Sequence, residues 1–298
     1  MATNHQTAKD VVLGMSELTS EDLAYLEPYL PDSGALSAQH HSGIESGGSQ
    51  GPSGVKVGQK DDTLPFVTLT YASSLDGMIS LAPGLRTTLS GPETKTMTHY
   101  LRLQHDAILV GVGTAIPDDP SLNCRYPGAT LETQPRPIVL DPLGRWDYAR
   151  SKLAQLTMDG QGKVPWLIHV RSVRELEHAA ANFCEHVYPA DHSRTSSEDS
   201  SSADGRLSWR VILTELKRRG IESVMIEGGA TAIASLLAQP ELVDSVIVTL
   251  APTWLGAGGV AVTPAARSEG SLRVNAARLD AASWRQFGAD AVLCGRPR

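Results

Sequence analysis

The sequence predicts an α/β fold with a mainly parallel central sheet and helices on both faces, and three observations lead there. Short β-branched runs alternate with segments of helical spacing. The runs are continuously apolar, the pattern of strands covered on both sides rather than half-exposed. Glycines and carboxylates gather just after several of the runs, where an open α/β sheet binds its ligands.

Taken in order, residues 1–32 form an N-terminal helical segment. Its "SELTSEDLAYLEPYLP" has apolar residues at helical spacing, with Ser20 as the predicted N-cap of a short docking helix. Residues 33–62 are rich in Gly and Ser and poor in large apolar side chains. Such a stretch cannot offset its ordering entropy and reads as a flexible linker. A single domain is expected over 63–298. "FVTLTYA" is a strand. "SGPETKTMTHYLRLQ" is a helix, with Ser90 and Glu93 at capping-box spacing and Pro92 in the first turn. "DAILVG", "RPIVLD" and "PWLIHV" are strands, and "SVRELEHAAA" a helix. Residues 191–206, polar and Ser-rich, read as a disordered surface insertion. "SWRVILTELKRRG" is a helix ending in basic residues and Gly220. "IESVMIEGG" is a strand, "ATAIASLLA" a helix, and "DSVIVTLAP" and "DAVLCGR" the last strands.

Composition excludes several classes of function. The net charge of −7 provides no basic field for nucleic acid or an anionic membrane. No run approaches the roughly 18 apolar residues of a membrane span. The N-terminus lacks a basic region followed by an apolar one, so no secretory signal is expected. Cys124, Cys184 and Cys294 are odd in number and far apart, which fits a reducing, cytoplasmic setting better than a disulfide framework or a zinc site.

The residues after the strands carry the candidate chemistry. In "SVMIEGGATAIASLL", a carboxylate and two glycines stand where a strand meets a helix. The glycines suit a tight turn, and the amides beyond them could equally cradle a pyrophosphate. Glu227 either faces a ligand or caps the helix dipole. In "GVGTAIPDDPSLNCR", Thr114 offers a hydroxyl, Asp118 an acceptor, and Asp119-Pro120 a turn. Arg102 and Arg125 together suit a phosphomonoester, although each alone is an ordinary surface charge. His99 and His105 have no nearby H-x-E or C-x-x-C partner and are assigned to surface or packing roles. No metal site is expected. There is no G-x-S-x-G and no P-loop, so nucleophilic hydrolysis and phosphoryl transfer have no support.

Together and in this order, "PFVTLTYASSLDGMIS", "RTTLSGPETKTMTHYLR", "DAILVGVGTAIPDDPSLNCR", "RPIVLD", "SVMIEGGATAIASLL" and "DAVLC" resemble the reductases of riboflavin biosynthesis. The bacterial members are fused to a zinc deaminase, whose H-x-E and P-C-x-x-C pattern this chain lacks. The resemblance therefore implies a reductase alone. It implies a dihydrofolate-reductase-like fold, a homodimer, and NADPH as cofactor, with NADH left open. The substrate would be a ribosylaminopyrimidine phosphate reduced to its ribitylamino form. Matching motifs place Ala72, Thr88, Thr114 and Asp118 at the cofactor. They add the segment Gly228, Gly229, Ala230 and Thr231, continuing through Ala232, Ile233, Ala234 and Ser235. Arg86, Arg102, Leu122, Arg125 and Glu227 would contact substrate. Glu227 and Asp76, the latter from "SLDG", form the catalytic set. One further cofactor contact is expected after "PWLIHV", with no residue assigned. The alternatives are a related reductase acting on another pterin or pyrimidine, and a non-catalytic dimeric binding module.

Overall fold

In a computed structural model of the protein, the described residues are 15–32, 61–170, 184–189, 208–264, 268–269, 272–273 and 277–298. The expected helix over 172–181, the insertion over 191–206 and nearly all of the linker lie outside them. The strands are β1 (Phe66–Ser73), β2 (Met78–Ser80), β3 (Ala107–Gly111), β4 (Arg136–Leu140), β5 (Trp166–Ile168), β6 (Glu185–Val187), β7 (Ser223–Gly228) and β8 (Ser245–Leu250). After them come β9 (Val260–Ala261), a two-stranded ribbon of β10 (Ser268–Glu269) and β11 (Leu272–Arg273), and the long pair β12 (Leu279–Phe287) and β13 (Asp290–Pro297). The helices are α1 (Ser20–Leu26), α2 (Pro92–Leu103), α3 (Val112–Asp118), α4 (Lys152–Met158), α5 (Trp209–Arg218) and α6 (Ala230–Leu237).

Nine strands form one sheet in the order β12-β13-β8-β1-β7-β3-β4-β5-β6. From β8 to β6 every pairing is parallel, with Phe66 opposite Ser223 and Ala107 opposite both Val224 and Arg136. Only β13 and β12 run antiparallel, at one edge. The mainly parallel sheet read from the continuous apolar runs is thus what forms.

Successive strand residues supply two opposite cores, as a pleat requires. Val67, Leu69, Leu109, Val224 and Ile226 pack with Trp209, Ile212 and Leu216 of α5 and Ile233 and Leu236 of α6. Ile108 and Val110 pack instead with Val112 and Ala115 of α3 and Leu153 of α4. Met225 and Ile247 meet Met97 and Leu101 of α2 and Leu26 of α1.

Both predicted N-caps are corrected. α1 is capped by Thr19, not Ser20: Thr19 Oγ1 accepts the Asp22 N–H at 3.2 Å, and Asp22 Oδ2 accepts the Thr19 N–H at 3.1 Å. The reciprocal box needs its acid three residues on, and only Thr19 has one there. The helix docks on the antiparallel edge, where the Tyr25 hydroxyl contacts the carbonyls of Ser283 and Val292 at 2.8 Å each. α2 begins at Gly91, with no local side-chain cap, so Ser90 and Glu93 form no box. Pro92 sets the first helical residue and leaves Ser90 one position too early. The cap comes from β13: Asp290 Oδ2 accepts the Gly91 N–H at 2.8 Å and the Thr94 hydroxyl at 2.5 Å. Asp290 is buried. Asp290→Ala is expected to cost about 1–2 kcal/mol, read as a lowered denaturant midpoint with unchanged slope.

Several elements escape the sequence reading: the short strands β2, β6, β9, β10 and β11, the helix α4, and also α3 and β12. Residues 112–118 turn as α3 despite Pro117 and Gly113, where a plain loop is expected. β12, "LDAASWRQF", is an edge strand with a mostly exposed face and no apolar run to announce it.

Candidate active site

The order of the sheet creates the site. The chain passes from β1 through α2 to β3 and leaves a gap that β7 later fills. α3 leaves the sheet on one face and α6 on the other, so their starts lie side by side at the carboxyl ends of β3 and β7. This is where open α/β sheets bind ligands. A cavity of about 760 Å³ opens there, a size ordinary for a small-molecule site. Its floor includes Gly111, Leu140 and Gly229, and Trp209 and Ile212 form one wall. The segment from Ile79 to Thr87 forms the other.

The double glycine has two physical reasons. Gly228 has φ of +137°, a region that side chains disfavour. A Cβ on Gly229 would stand 2.7 Å from Thr114 Oγ1. The turn therefore brings α3 and α6 into contact by having no side chains there. Neither helix has a side-chain N-cap. The first-turn amides of α6 are left without the usual protein acceptor, beside a cavity, which is a fitting place for a phosphate.

Of the expected cofactor residues, Thr114, Asp118, Gly229, Ala230, Thr231, Ala232 and Ser235 line this cavity. Burial pushes the Asp118 carboxyl above its ordinary value, and the Arg86 charge partly offsets this. Ala72, Thr88, Gly228, Ile233 and Ala234 do not line it. The Ile233 side chain is buried in the sheet-facing core, which leaves its backbone for the expected contact. The Ser235 hydroxyl already accepts from Trp209 Nε1 at 2.7 Å and donates to the Ala232 carbonyl at 2.9 Å.

The expected substrate residues gather on the α2 side. Arg102 and Glu227 meet as a bidentate pair: Nε to Oε1 and Nη2 to Oε2, both 2.7 Å. Their side chains are 13% and 16% exposed. Burial works against the Arg102 charge, but the Glu227 carboxylate outweighs it and holds the guanidinium above its ordinary value. Arg102 Nη1 also donates to the Asn123 carbonyl at 2.9 Å. Arg102, expected as a substrate contact, is thus also the partner of Glu227. Arg125 is exposed, and its guanidinium lies 3.1 Å from His99 Nε2 through Nη2. Burial, with Arg102 and Arg125 beside it, pushes His99 down to about 3, so the ring is neutral. The Leu122 side chain is 1% exposed and packs against the α3–α4 core, which leaves its backbone for a substrate contact. His105 is a packing residue as expected, held by Thr68 Oγ1 and the Leu101 carbonyl at 2.7 Å each.

Asp76 is engaged elsewhere. Its Oδ1 accepts the Ser74 hydroxyl at 2.5 Å and the Leu255 N–H at 3.1 Å, and Oδ2 accepts the Gly256 N–H at 2.7 Å. The Ser74 and Gly256 hydrogen bonds hold its pKa at about 2. With both oxygens engaged, it clamps the loop after β8. A lowered folded-state pKa stabilises at pH above the ordinary carboxylate value of about 4 and is lost as pH falls towards 2. Proteolysis within 253–259 is expected to quicken over that window, and to be fast at all pH in Asp76→Asn. Uniform resistance in the variant would remove the clamp.

Of two further residues near the pair, His99 reads in the sequence only as a surface or packing residue and Asn123 goes unread. His99 lies three positions before Arg102 on the same helix face, a spacing that could have linked them. Asn123 has a buried Oδ1 with no hydrogen-bond partner among the described residues, and no local signal marks it.

Comparison with known proteins shows the family. The RibD C-terminal domain family model matches residues 65–293. The Eremothecium gossypii 2,5-diamino-6-ribosylamino-4(3H)-pyrimidinone 5′-phosphate reductase is 42% identical over 240 residues, 78% of this chain and 88% of the relative. The Debaryomyces hansenii protein of the same name is 40% identical over 234 residues, 78% of this chain and 89% of the relative. The solved Saccharomyces cerevisiae riboflavin biosynthesis reductase superposes with a TM-score of 0.67 and 32% identity, covering 93% of this chain and 100% of that one. The chain belongs to the RibD C-terminal domain family, and within it to the reductases of riboflavin biosynthesis.

Proposed function

We propose that this enzyme uses NADPH to reduce the ribosylamino side chain of 2,5-diamino-6-ribosylamino-4(3H)-pyrimidinone 5′-phosphate to the ribitylamino form. The observation that carries the reading is the pairing of two sites at one switch point. A glycine-floored cavity with an uncapped helix start adjoins a half-buried, ion-paired carboxylate. The names of the yeast relatives support the substrate.

The residues fit the cofactor. The amides from Gly229 to Thr231 would hold the pyrophosphate, with the Thr114 hydroxyl beside them. When bound, the nicotinamide supplies a hydride. The chain itself positions and polarises. Arg102 locks the Glu227 carboxylate in one orientation, so its charge faces the sugar carbon where positive charge develops. Asn123 Oδ1 is an acceptor that a ligand N–H or O–H would satisfy. Arg125 is the accessible cation for the substrate phosphate, with neutral His99 setting its position.

The test is loss of NADPH absorbance with this substrate and with its deaminated form. Oxidation with the first alone supports the reading. Oxidation only with another pterin or pyrimidine sinks it, as does cofactor binding without oxidation.

The enzyme is proposed to work in the cytoplasm as a homodimer. No helix among the described residues is long and apolar enough to cross a membrane. Its three cysteines are free and buried, as a reducing compartment allows. The dimer rests on edge strand β12 with Trp284 60% exposed upon it. A monomeric mass in sedimentation at micromolar concentration would refute the dimer.

A further inference from the structure

The family match begins at residue 65, so α1 and Leu18, the residue before its cap, lie outside it. Nothing in the reduction so far uses them, yet they are firmly built into the fold. α1 is pinned along one side to the antiparallel edge of the sheet. Arg285 Nε donates to Asp22 Oδ1 at 2.7 Å, and Arg296 Nη2 donates to the Pro28 carbonyl at 2.7 Å. The Tyr29 hydroxyl donates to the Ala281 carbonyl at 2.5 Å. Leu26 is fully buried, and Leu18 packs against the same core. Ordering a terminal segment costs entropy, and these contacts offset that cost. Leu18 is therefore a fixed point.

That fixed point touches the loop that carries Arg125. The Leu18 N–H donates to the Tyr126 hydroxyl at 3.0 Å, across 108 residues of chain. Tyr126 follows Arg125 directly. Its ring leans on Tyr100 of α2, with centroids 5.3 Å apart and planes at 60°, a tilted aromatic contact. The residues before it are each tied down within the matched domain. The Asn123 carbonyl accepts from Arg102. Gln134 accepts the Cys124 N–H at 2.7 Å and donates to the Cys124 carbonyl at 2.8 Å. The Arg125 N–H donates to His99 Nδ1 at 3.1 Å. At Tyr126 this row of ties leaves the matched domain and passes to the N-terminal segment.

We propose that the N-terminal segment is a strap that positions Arg125 for the substrate, and that Tyr126 is the positioning residue through which it acts. The inference rests on the reading of Arg125 as the cation for the substrate phosphate. Arg125 is exposed, so its guanidinium is only as well placed as the backbone beneath it. A small misplacement at such an anchor is felt at the reacting carbon. With the Tyr126 hydroxyl unheld, Arg125 samples more orientations, and binding the substrate must then order it. The cavity between α3 and α6 has neither Leu18 nor Tyr126 in its lining, so cofactor binding should not sense the strap.

The test is steady-state turnover of the ribosylaminopyrimidine phosphate by the full chain, with melting temperature and affinity for the cofactor fragment 2′,5′-ADP measured alongside. Tyr126→Phe removes the acceptor and keeps the ring, and Leu18→Pro removes the donor. Each should raise the KM for substrate by about 2- to 10-fold, the range of one neutral hydrogen bond, and leave 2′,5′-ADP affinity unchanged. Combined, they should raise it no further than either alone, because both delete one bond. Tyr25→Phe is the matched control: it removes a hydroxyl from the pinned side of α1, so melting temperature should fall and KM should stay put. An unmoved KM in Tyr126→Phe, fully additive effects, or an equal KM rise in Tyr25→Phe would overturn the strap. Arg125→Ala separates the two readings. If its KM is that of wild type, the phosphate-anchor reading falls and the strap with it. If its KM rises while that of Tyr126→Phe does not, the strap alone falls.

Discussion

Glu227→Gln is expected to lower kcat by about 10- to 1,000-fold, the range for removing one preorganised electrostatic group from a reacting centre. The shape of the side chain survives and one oxygen can still accept from Arg102. What disappears is the negative charge at the end of β7. The affinity for 2′,5′-ADP should not move, because the cavity lining does not include this residue. Stability should fall as well, by about 1–3 kcal/mol, because Arg102 keeps its charge in a place where its side chain is only 13% exposed. The two effects separate in Arg102→Met/Glu227→Gln. That double variant no longer buries an unpaired charge, so its melting temperature should recover part of the loss while turnover stays low. Full turnover in Glu227→Gln would end the catalytic reading and leave the pair as scaffolding.

The second large effect belongs to the glycines. Gly229→Ala is expected to raise the KM for NADPH by about tenfold or more. Its Cβ would stand 2.7 Å from Thr114 Oγ1, so the hydroxyl must turn away or the amides must withdraw. Gly229 has φ of −77°, which suits alanine, so the fold should tolerate the change. Gly228→Ala should behave oppositely, costing about 1–3 kcal/mol of stability through its φ of +137°. Adding Thr114→Ala to Gly229→Ala removes the obstructing oxygen. The double variant should therefore bind cofactor no worse than Thr114→Ala alone. If Gly229→Ala keeps wild-type affinity, the close approach of α3 and α6 is not what shapes the cofactor site.

Both effects depend on a carboxylate and glycines already visible in "IEGGAT", but the reasons they matter were not all visible there. The parallel strands announced themselves because a sheet covered on two faces needs apolar residues at every position, whatever lies next to it. The α6 amides could be nominated because a helix start after a strand is a local feature, and Thr114 because its segment directly follows a strand end. Ser20 and Ser90 were the wrong caps: a neighbouring Thr19 had the better-spaced acid, and α2 borrowed Asp290 from 199 residues away. Leu122 and Asp76 carry motif positions, yet one side chain is in the core and the other clamps a loop. β12 was unreadable because an edge strand needs no continuous apolar run.

By itself, then, the amino-acid order determined the main strands β1, β3, β4, β5, β7, β8 and β13, most of the helices and the rim that carries the candidate site, since each follows from spacing and composition within a dozen residues. Only tertiary structure decided that Arg102 would close on Glu227, 125 residues away, and that His99 would hold Arg125. These partners meet because β7 enters the sheet late, between two strands already laid down. No local rule encodes where that crossing brings their side chains together.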